Sequence, residues 1–488
     1  MKKETFFIFL LIACLFAHNH AIPQRQAWSY LLDDKANTKC IDLDETATND
    51  YVVNAIATKS GSVKLFTLLL KINNEGMLID TIQFISENLN ISPVSTYIDS
   101  ENLLSLICLE YDTATHAKLS LTRTVLDANF EVVERNTVSL SSELVVGSFS
   151  QSSRLSDSSY LVYFNITEQS SKLETPLVCH LDKHFNLLKS NIPSPGQWGS
   201  YVDMRQLNDT AFWALRMMST RYIKLDTSFS DIGQASIPYF SPANMSCKWV
   251  NDSTFYVLGS NSFPLPSNNI GILKQYHPYD TTGHLFLRWH HTDTIDFPSI
   301  YRGIDFKNSD TLLAGGTHNL SLYNPYYAHQ PSWLVVLQTD SLLNLRWERF
   351  YGGDAYYVMS NLIATQDGGC LIGGWRFDYQ NSTEDQTDIF LLKLNSEGLL
   401  TGHAEMPEFQ MREAIVYPNP GRQLHIRLAM QHPKAQLQLF DQAGRLILKQ
   451  QLHQTESTVV TAHLPSGVYL YHLSAPTGLN ESGKWVKE

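Results

Sequence analysis

The chain lacks the usual marks of metal, redox and nucleic-acid proteins. Its six cysteines are scattered, and no two form a C-x-x-C pair. That spacing indicates neither a zinc site nor a disulfide framework. Charged residues make up only 17 % of the chain, the net charge is −12, and Lys and Arg nowhere cluster. A nucleic-acid partner is therefore not expected, because such partners need a basic footprint. Beyond the first 21 residues no apolar run reaches the roughly 20 residues that cross a bilayer as a helix, so no transmembrane segment is expected. Helical periodicity is missing throughout. Also absent are an S-x-D-x-G-x-T-W box, a G-x-S-x-G elbow, an H-E-x-x-H helix and a phosphate-binding loop. The catalytic residues stay unknown, and no cofactor and no metal are expected. His290, His291 and Asp293 are the one group that suggests a metal. Adjacent residues on an extended strand point to opposite faces, so the two histidines cannot chelate together.

What is present begins with an export signal. Lys2 and Lys3 precede an apolar stretch from Phe6 to Phe16, too short to span a membrane. Residues 1–21 read as a signal peptide cleaved after Ala21. Leu11-Ile12-Ala13-Cys14 also resembles a lipobox, which would leave a lipoprotein anchored at Cys14. The apolar stretch continues past Cys14 through Leu15 and Phe16, which favours the signal peptide.

The middle of the chain is a repeat. One landmark is an Asp/Asn turn after an apolar strand. It occurs at Asn73–Gly76, Asp127–Phe130, Asp182–Phe185, Asp226–Phe229, Asp340–Leu342 and Asn395–Gly398, with a degenerate copy near Asp280–Gly283. A second landmark, an acidic turn before a short apolar strand, sits at Asp50, Asp99, Asp157, Asp209, Asp252, Asp310 and Asp367. Each recurs at a spacing of roughly 43–60 residues. Four short strands fit between landmarks; in the fifth unit they are Met245–Val250, Thr254–Gly259, Ile270–Gln275 and His284–Trp289. In the seventh they are Tyr357–Ala364, Cys370–Gly374, Asp388–Leu394 and a weak Leu399–Ala404. Seven repeats of four antiparallel strands describe a seven-bladed β-propeller over residues 24–406. The segment Gln26–Leu31 is similar to Leu345–Phe350, the fourth strand of the sixth unit. It is expected to supply the outer strand of the last blade and close the ring, which hides an edge.

A propeller sorts its loops. The a–b and c–d connections are short and rich in Asp, Asn and Gly, as tight turns require. The b–c and d–a connections lie on the other face and are long and irregular, where binding residues concentrate. Aromatics gather there between the sixth and seventh blades: Tyr323, Tyr326, Tyr327, Tyr356, Tyr357, Trp375 and Tyr379, with Asp354, Arg376 and Asp378 as polar companions. Flat rings rimmed by charge suit a glycan or protein ligand. They also suit the anchoring of long loops. Asp354 and Asp378 on facing loops would be the carboxylate pair of a secreted propeller-scaffold glycoside hydrolase or lyase, the alternative to a binding protein.

The last 75 or so residues carry a second fold. Leu437–Phe440, Asp441–Gly444 and Leu446–Leu448 read as a hairpin, and Val468–Leu473 alternates as a sandwich strand does. The order is Tyr417-Pro418-Asn419-Pro420, a D-x-x-G-R turn ending at Gly444-Arg445, Gly467-Val468-Tyr469, and a terminal strand bearing Lys484 and Lys487. In this order the segment resembles the type A C-terminal sorting domain of Bacteroidota type IX secretion cargo. The resemblance implies an Ig-like β-sandwich, export to the cell surface or beyond, and two partners: the type IX machinery and its sortase-like processing protease. The whole is then all-β: signal peptide 1–21, seven-bladed β-propeller 24–406, linker 407–413 and sorting domain 414–488.

Overall fold

The computed structural model describes residues 27–487 apart from 33–35, 60–61, 168–172, 194–198, 218, 241–244, 262–268, 290–293, 322, 382–385, 401–410, 413, 418–420, 429–431 and 478. The signal segment, Cys14, the histidine pair at 290 and 291, and the Pro418-Asn419-Pro420 motif lie outside the described residues. Every described element is a strand.

Seven antiparallel sheets follow one another around a ring, each meandering outward from an inner strand. The inner strands are Ala36–Glu45, Leu89–Ile98, Val145–Arg154, Tyr201–Asn208, Met245–Trp249, the split pair Asp296–Pro298 and Ile304–Asp305, and Tyr356–Ala364. Side chains on both faces of a blade pack against neighbouring blades, so the middle strands are nearly continuous apolar runs. Phe255–Asn261 and Leu312–His318 are buried along their whole length. The five cysteines among the described residues are free thiols within this packing, Cys247 only partly buried.

The ring closes as the similarity of its two tryptophan segments suggests. Trp28–Leu32 pairs antiparallel with Asp388–Leu394 as the fourth strand of the seventh blade. The segment from Leu399 therefore has no place in that sheet: Leu399 and Leu400 form no strand, and 401–404 lie outside the described residues. The reason for the similarity is visible one blade further on. Trp28 lies against Gly76 in the first blade's c–d turn, and Trp347 lies against Gly398 in the seventh blade's. A Cβ at either glycine would meet an indole ring at 2.6 or 2.8 Å. Both glycines also have positive φ, at 86° and 70°. In four of the other five turns the same position is Phe130, Phe185, Phe229 or Leu343, also at positive φ, and the fifth blade's turn lacks it. There the side chain itself is buried in place of the incoming tryptophan. Left-handed backbone strains a bulky residue. The turn aspartate offsets this: Asp127 Oδ1, for example, accepts the N–H groups of Asn129 and Glu131 at 2.9 Å each.

The tail is a separate two-sheet sandwich. One sheet holds Ala414–Tyr417, Leu424–Leu428 and Glu456–Val459. The other holds Leu446–Leu452, Ala435–Phe440, Gly467–Ser474 and Asn480–Lys487. Tyr469, Tyr471 and Leu473 point inward with Trp485 at 0 % exposure, while Gly444 turns at φ 74°. Lys484 and Lys487 lie on the last strand, paired with Leu470 and Gly467. Met411–Arg412 adds a short strand to the outer edge of the sixth blade. Arg427 Nη2 of the sandwich donates to both carboxylate oxygens of Glu348 of that blade, at 2.9 and 3.0 Å.

Candidate functional site

The loop-face aromatics divide into two groups. Trp375, Tyr356 and Tyr357 are buried to within 1 %. Trp375 Nε1 donates to the Tyr326 carbonyl at 2.8 Å, and Tyr356 Oη accepts from the Ser321 N–H at 3.1 Å. Trp375 and Tyr356 form a small satellite core with Phe377, Leu320, Tyr327 and Tyr379, whereas Tyr357 belongs to the neighbouring core and meets Phe390 edge-on at 5.0 Å. Tyr327 meets Phe377 edge-on at 5.8 Å, and Tyr379 faces His329 at 6.2 Å. The outer group is Tyr323, fully exposed, and Tyr326, half exposed. Tyr326 stacks over Trp375 at 6.3 Å and 25°.

The polar companions form one network. Arg376 Nη2 bridges Asp354 Oδ2 at 3.2 Å and Asp378 Oδ2 at 3.3 Å. Arg376 Nε donates to Tyr357 Oη, which donates to Asp354 Oδ1 at 3.0 Å. Burial opposes ionisation of Asp378, but hydrogen bonds from Asn381 and the Arg376 charge outweigh it and hold the carboxyl below the usual range. Both carboxylates share one guanidinium, an arrangement that fastens two loops.

The cavity on this face lies beside these residues, over the ring axis. It has a volume of about 580 Å³. Its walls are apolar and aromatic, including Phe149, Phe297, Tyr301, Met359 and the edge of Trp375, with Tyr326 at the rim. Lys39 is the one charged side chain among its described lining residues. The Lys39 ammonium sits 4.1 Å from the Tyr326 ring centroid and 5.4 Å from that of Trp375. Burial lowers its pKa from the ordinary lysine value. A cation over two electron-rich ring faces is stabilised when partly desolvated.

A second chamber opens on the short-turn face, and Tyr301 lines both. It is polar: Asp42, Asp44, Asp203, Arg302 and Thr96 line it. The change of character halfway along the channel has a backbone cause. Four inner strands carry one extra residue at mid-height, between Cys40 and Asp42, Pro93 and Ser95, Tyr201 and Asp203, and Met359 and Asn361, and the third blade carries two extra between Val146 and Ser150. A bulge inserts a residue and exchanges which parity faces the axis. Lys39 and Ile41 thus face the loop-side chamber, and Asp42 and Asp44 the turn-side one. In the sixth blade the inner strand breaks between Pro298 and Ile304, and Tyr301 and Arg302 enter the axis there. Lys39, Phe149 and the axial acids do not stand out by sequence pattern. The one available signal is the Asp-Leu-Asp alternation of residues 42–44, which puts two carboxylates on one strand face.

Residues 415–488 match the family model of a secretion system C-terminal sorting domain. The tail is thus a type IX sorting domain, which supports export to the cell surface or the extracellular space. No curated protein sequence matches the chain. Among solved structures it is similar to YCF48 from Cyanidioschyzon merolae, at 9 % identity and TM-score 0.42 over 76 % of this chain and 99 % of that one. It is also similar to a protein of unknown function from Bacteroides caccae, at 8 % identity and TM-score 0.35 over 64 % and 93 %. A third is PorZ, a surface component of the type IX secretion system of Porphyromonas gingivalis, at 9 % identity and TM-score 0.25 over 92 % and 81 %.

Proposed function

We propose that the chain is a secreted or cell-surface binding protein. Its signal peptide directs it across the inner membrane, the type IX machinery exports it, and the sortase-like protease processes its tail. Its loop face then binds a glycan or protein ligand that carries an anionic group beside a flat apolar surface. The observation that carries this reading is the loop-face chamber: a preformed, mostly apolar cavity of about 580 Å³ whose one charged described lining residue is Lys39. Concave apolar sites with a few placed polar groups are the usual form of a binding pocket. Tyr326 supplies an exposed ring for stacking, and Lys39 supplies the charge.

The second reading, a secreted propeller-scaffold glycoside hydrolase or lyase, finds less support on this face. The carboxylates it would use there, Asp354 and Asp378, are both held by Arg376. A glycosidase pair needs one carboxyl kept protonated as the acid, and Asp378 is held ionised. A glycan and peptide array probed with the mature full chain tests the choice. Uronic-acid glycans or acidic peptides should be retained over their neutral counterparts, and Lys39→Met should erase that preference. Equal retention of neutral and acidic members, or release of cleaved products from the array, would reject the binding reading.

A further inference from the structure

The chemistry of the loop-face chamber discriminates between a glycan and a protein ligand. Among its described lining residues there is no amide, carboxylate, guanidinium or imidazole side chain. Two of its hydroxyls are already engaged. Thr317 Oγ1 accepts from the Met359 N–H at 2.9 Å, and Ser148 Oγ donates to Glu174 Oε2 at 2.6 Å. A sugar ring brings several hydroxyl groups, and each one buried without a partner costs free energy. An apolar side chain entering the same space leaves nothing unpaired and gains the burial of its surface. The Lys39 ammonium, 4.1 Å from the Tyr326 ring centroid, is answered by no carboxylate: burial lowers its pKa and no neighbouring acid raises it back. Apolar walls around one such cation fit an apolar side chain beside a carboxylate.

The chamber also continues sideways. A groove of about 280 Å³ lies between the first blade and the 319–331 loop, lined by Ala57 and Thr58 on one side and Tyr327 on the other. Chamber and groove share Lys39, Ile56 and Leu65, so the cation borders both. The groove is the more polar of the two, because Asn37 and Thr58 bring an amide and a hydroxyl to it. A small organic acid would end at Lys39 and leave the groove empty. A polypeptide passes the cation and continues, and its backbone amides find donors and acceptors in the polar wall.

We propose that the ligand of this face is an extended protein segment. A bulky apolar side chain of the segment fills the axial chamber, an acidic side chain beside it pairs with Lys39, and the chain runs on through the side groove. This rests on the loop-face binding reading and narrows it to one ligand class.

The test is calorimetric titration of the full chain at neutral pH with blocked Gly/Ser octapeptides in which Phe precedes or follows Glu by one or two residues. Tetragalacturonic acid and 3-phenylpropionate serve as the saccharide and small-acid probes. The best octapeptide should bind at least tenfold more tightly than either. Replacing its Glu by Gln, or its Phe by Ser, should each weaken binding at least tenfold. Lys39→Met should remove the difference between the Glu and Gln peptides. Thr58→Trp, which fills the groove, should weaken the peptide at least tenfold and leave 3-phenylpropionate unchanged. Both variants are checked for an unchanged fold by circular dichroism. Tetragalacturonic acid binding as tightly as the best peptide, and losing affinity in Lys39→Met, would overturn the protein ligand and leave the loop-face site standing. Equal affinity for 3-phenylpropionate and the peptide, or a Glu–Gln difference that persists in folded Lys39→Met, would overturn the extended segment pairing with Lys39. Lack of binding by all the probes would overturn the loop-face site itself.

Discussion

Deleting Ala414–Glu488 should leave a folded propeller stranded in the periplasm. The expected effect on surface exposure is all or none, because the sorting elements lie in the deleted segment. The expected effect on the propeller itself is modest, because each blade buries its apolar faces on its neighbours rather than on the tail. The link between the two units is local. Arg427 pairs with Glu348 at 2.9 and 3.0 Å, both side chains are more than nine-tenths buried, and the guanidinium lies 5.4 Å from the Phe350 ring centroid. Removing one partner of such a pair in the intact chain costs about 3–5 kcal/mol, since the other charge stays buried. Arg427→Ala should therefore loosen the tail and bring first proteolytic cuts near residues 405–420. Surface fractionation and limited proteolysis report the two outcomes. A truncated chain that still reaches the surface would refute the sorting role, and first cuts inside the ring would refute the division into two units.

Trp28→Ala should be among the most damaging single substitutions in the propeller. Trp28 is 4 % exposed, donates from Nε1 to the Asn74 carbonyl at 3.1 Å and packs 5.7 Å from the Tyr51 ring. It joins the amino-terminal strand to the first blade, across the seam where the ring closes. Truncating a buried tryptophan costs about 3–5 kcal/mol through lost transfer energy and the cavity left behind. Here the loss also frees the Asp388–Leu394 edge, which can pair with other chains. Thermal denaturation should show a large fall in melting temperature with added aggregation. An unchanged melting temperature would mean that the ring does not depend on this strand.

The blades were legible in the sequence because turn chemistry is local. An aspartate that caps its own turn, and a Gly or Phe at the left-handed position, recur whatever surrounds them. The closing strand was legible for the same reason: Trp28 and Trp347 meet equivalent turns and so share neighbours. The division of loops into two faces follows from those turns. The contents of the channel were not legible. Four single-residue bulges exchange the inward parity halfway along the inner strands, so alternation on one side does not predict the other. That is why Lys39 and Asp42, three residues apart, serve different chambers. For the aromatic group between the sixth and seventh blades, composition does not separate a ring that anchors a loop from one that meets solvent. Trp375 and Tyr326 differ in just this way, and one is stacked upon the other.

That difference permits the most direct test of the binding account. Dissociation constants for an array-selected ligand and melting temperatures should be measured together for the wild-type chain, Tyr326→Ala and Trp375→Ala. Tyr326→Ala should weaken binding by on the order of 1–3 kcal/mol, as an aromatic anchor does, with little change in melting temperature. Trp375→Ala should lower stability by about 3–5 kcal/mol and weaken binding only through the loop that it supports. Unchanged affinity in Tyr326→Ala, in a chain that melts normally, would contradict the assignment of the loop-face chamber as the ligand site.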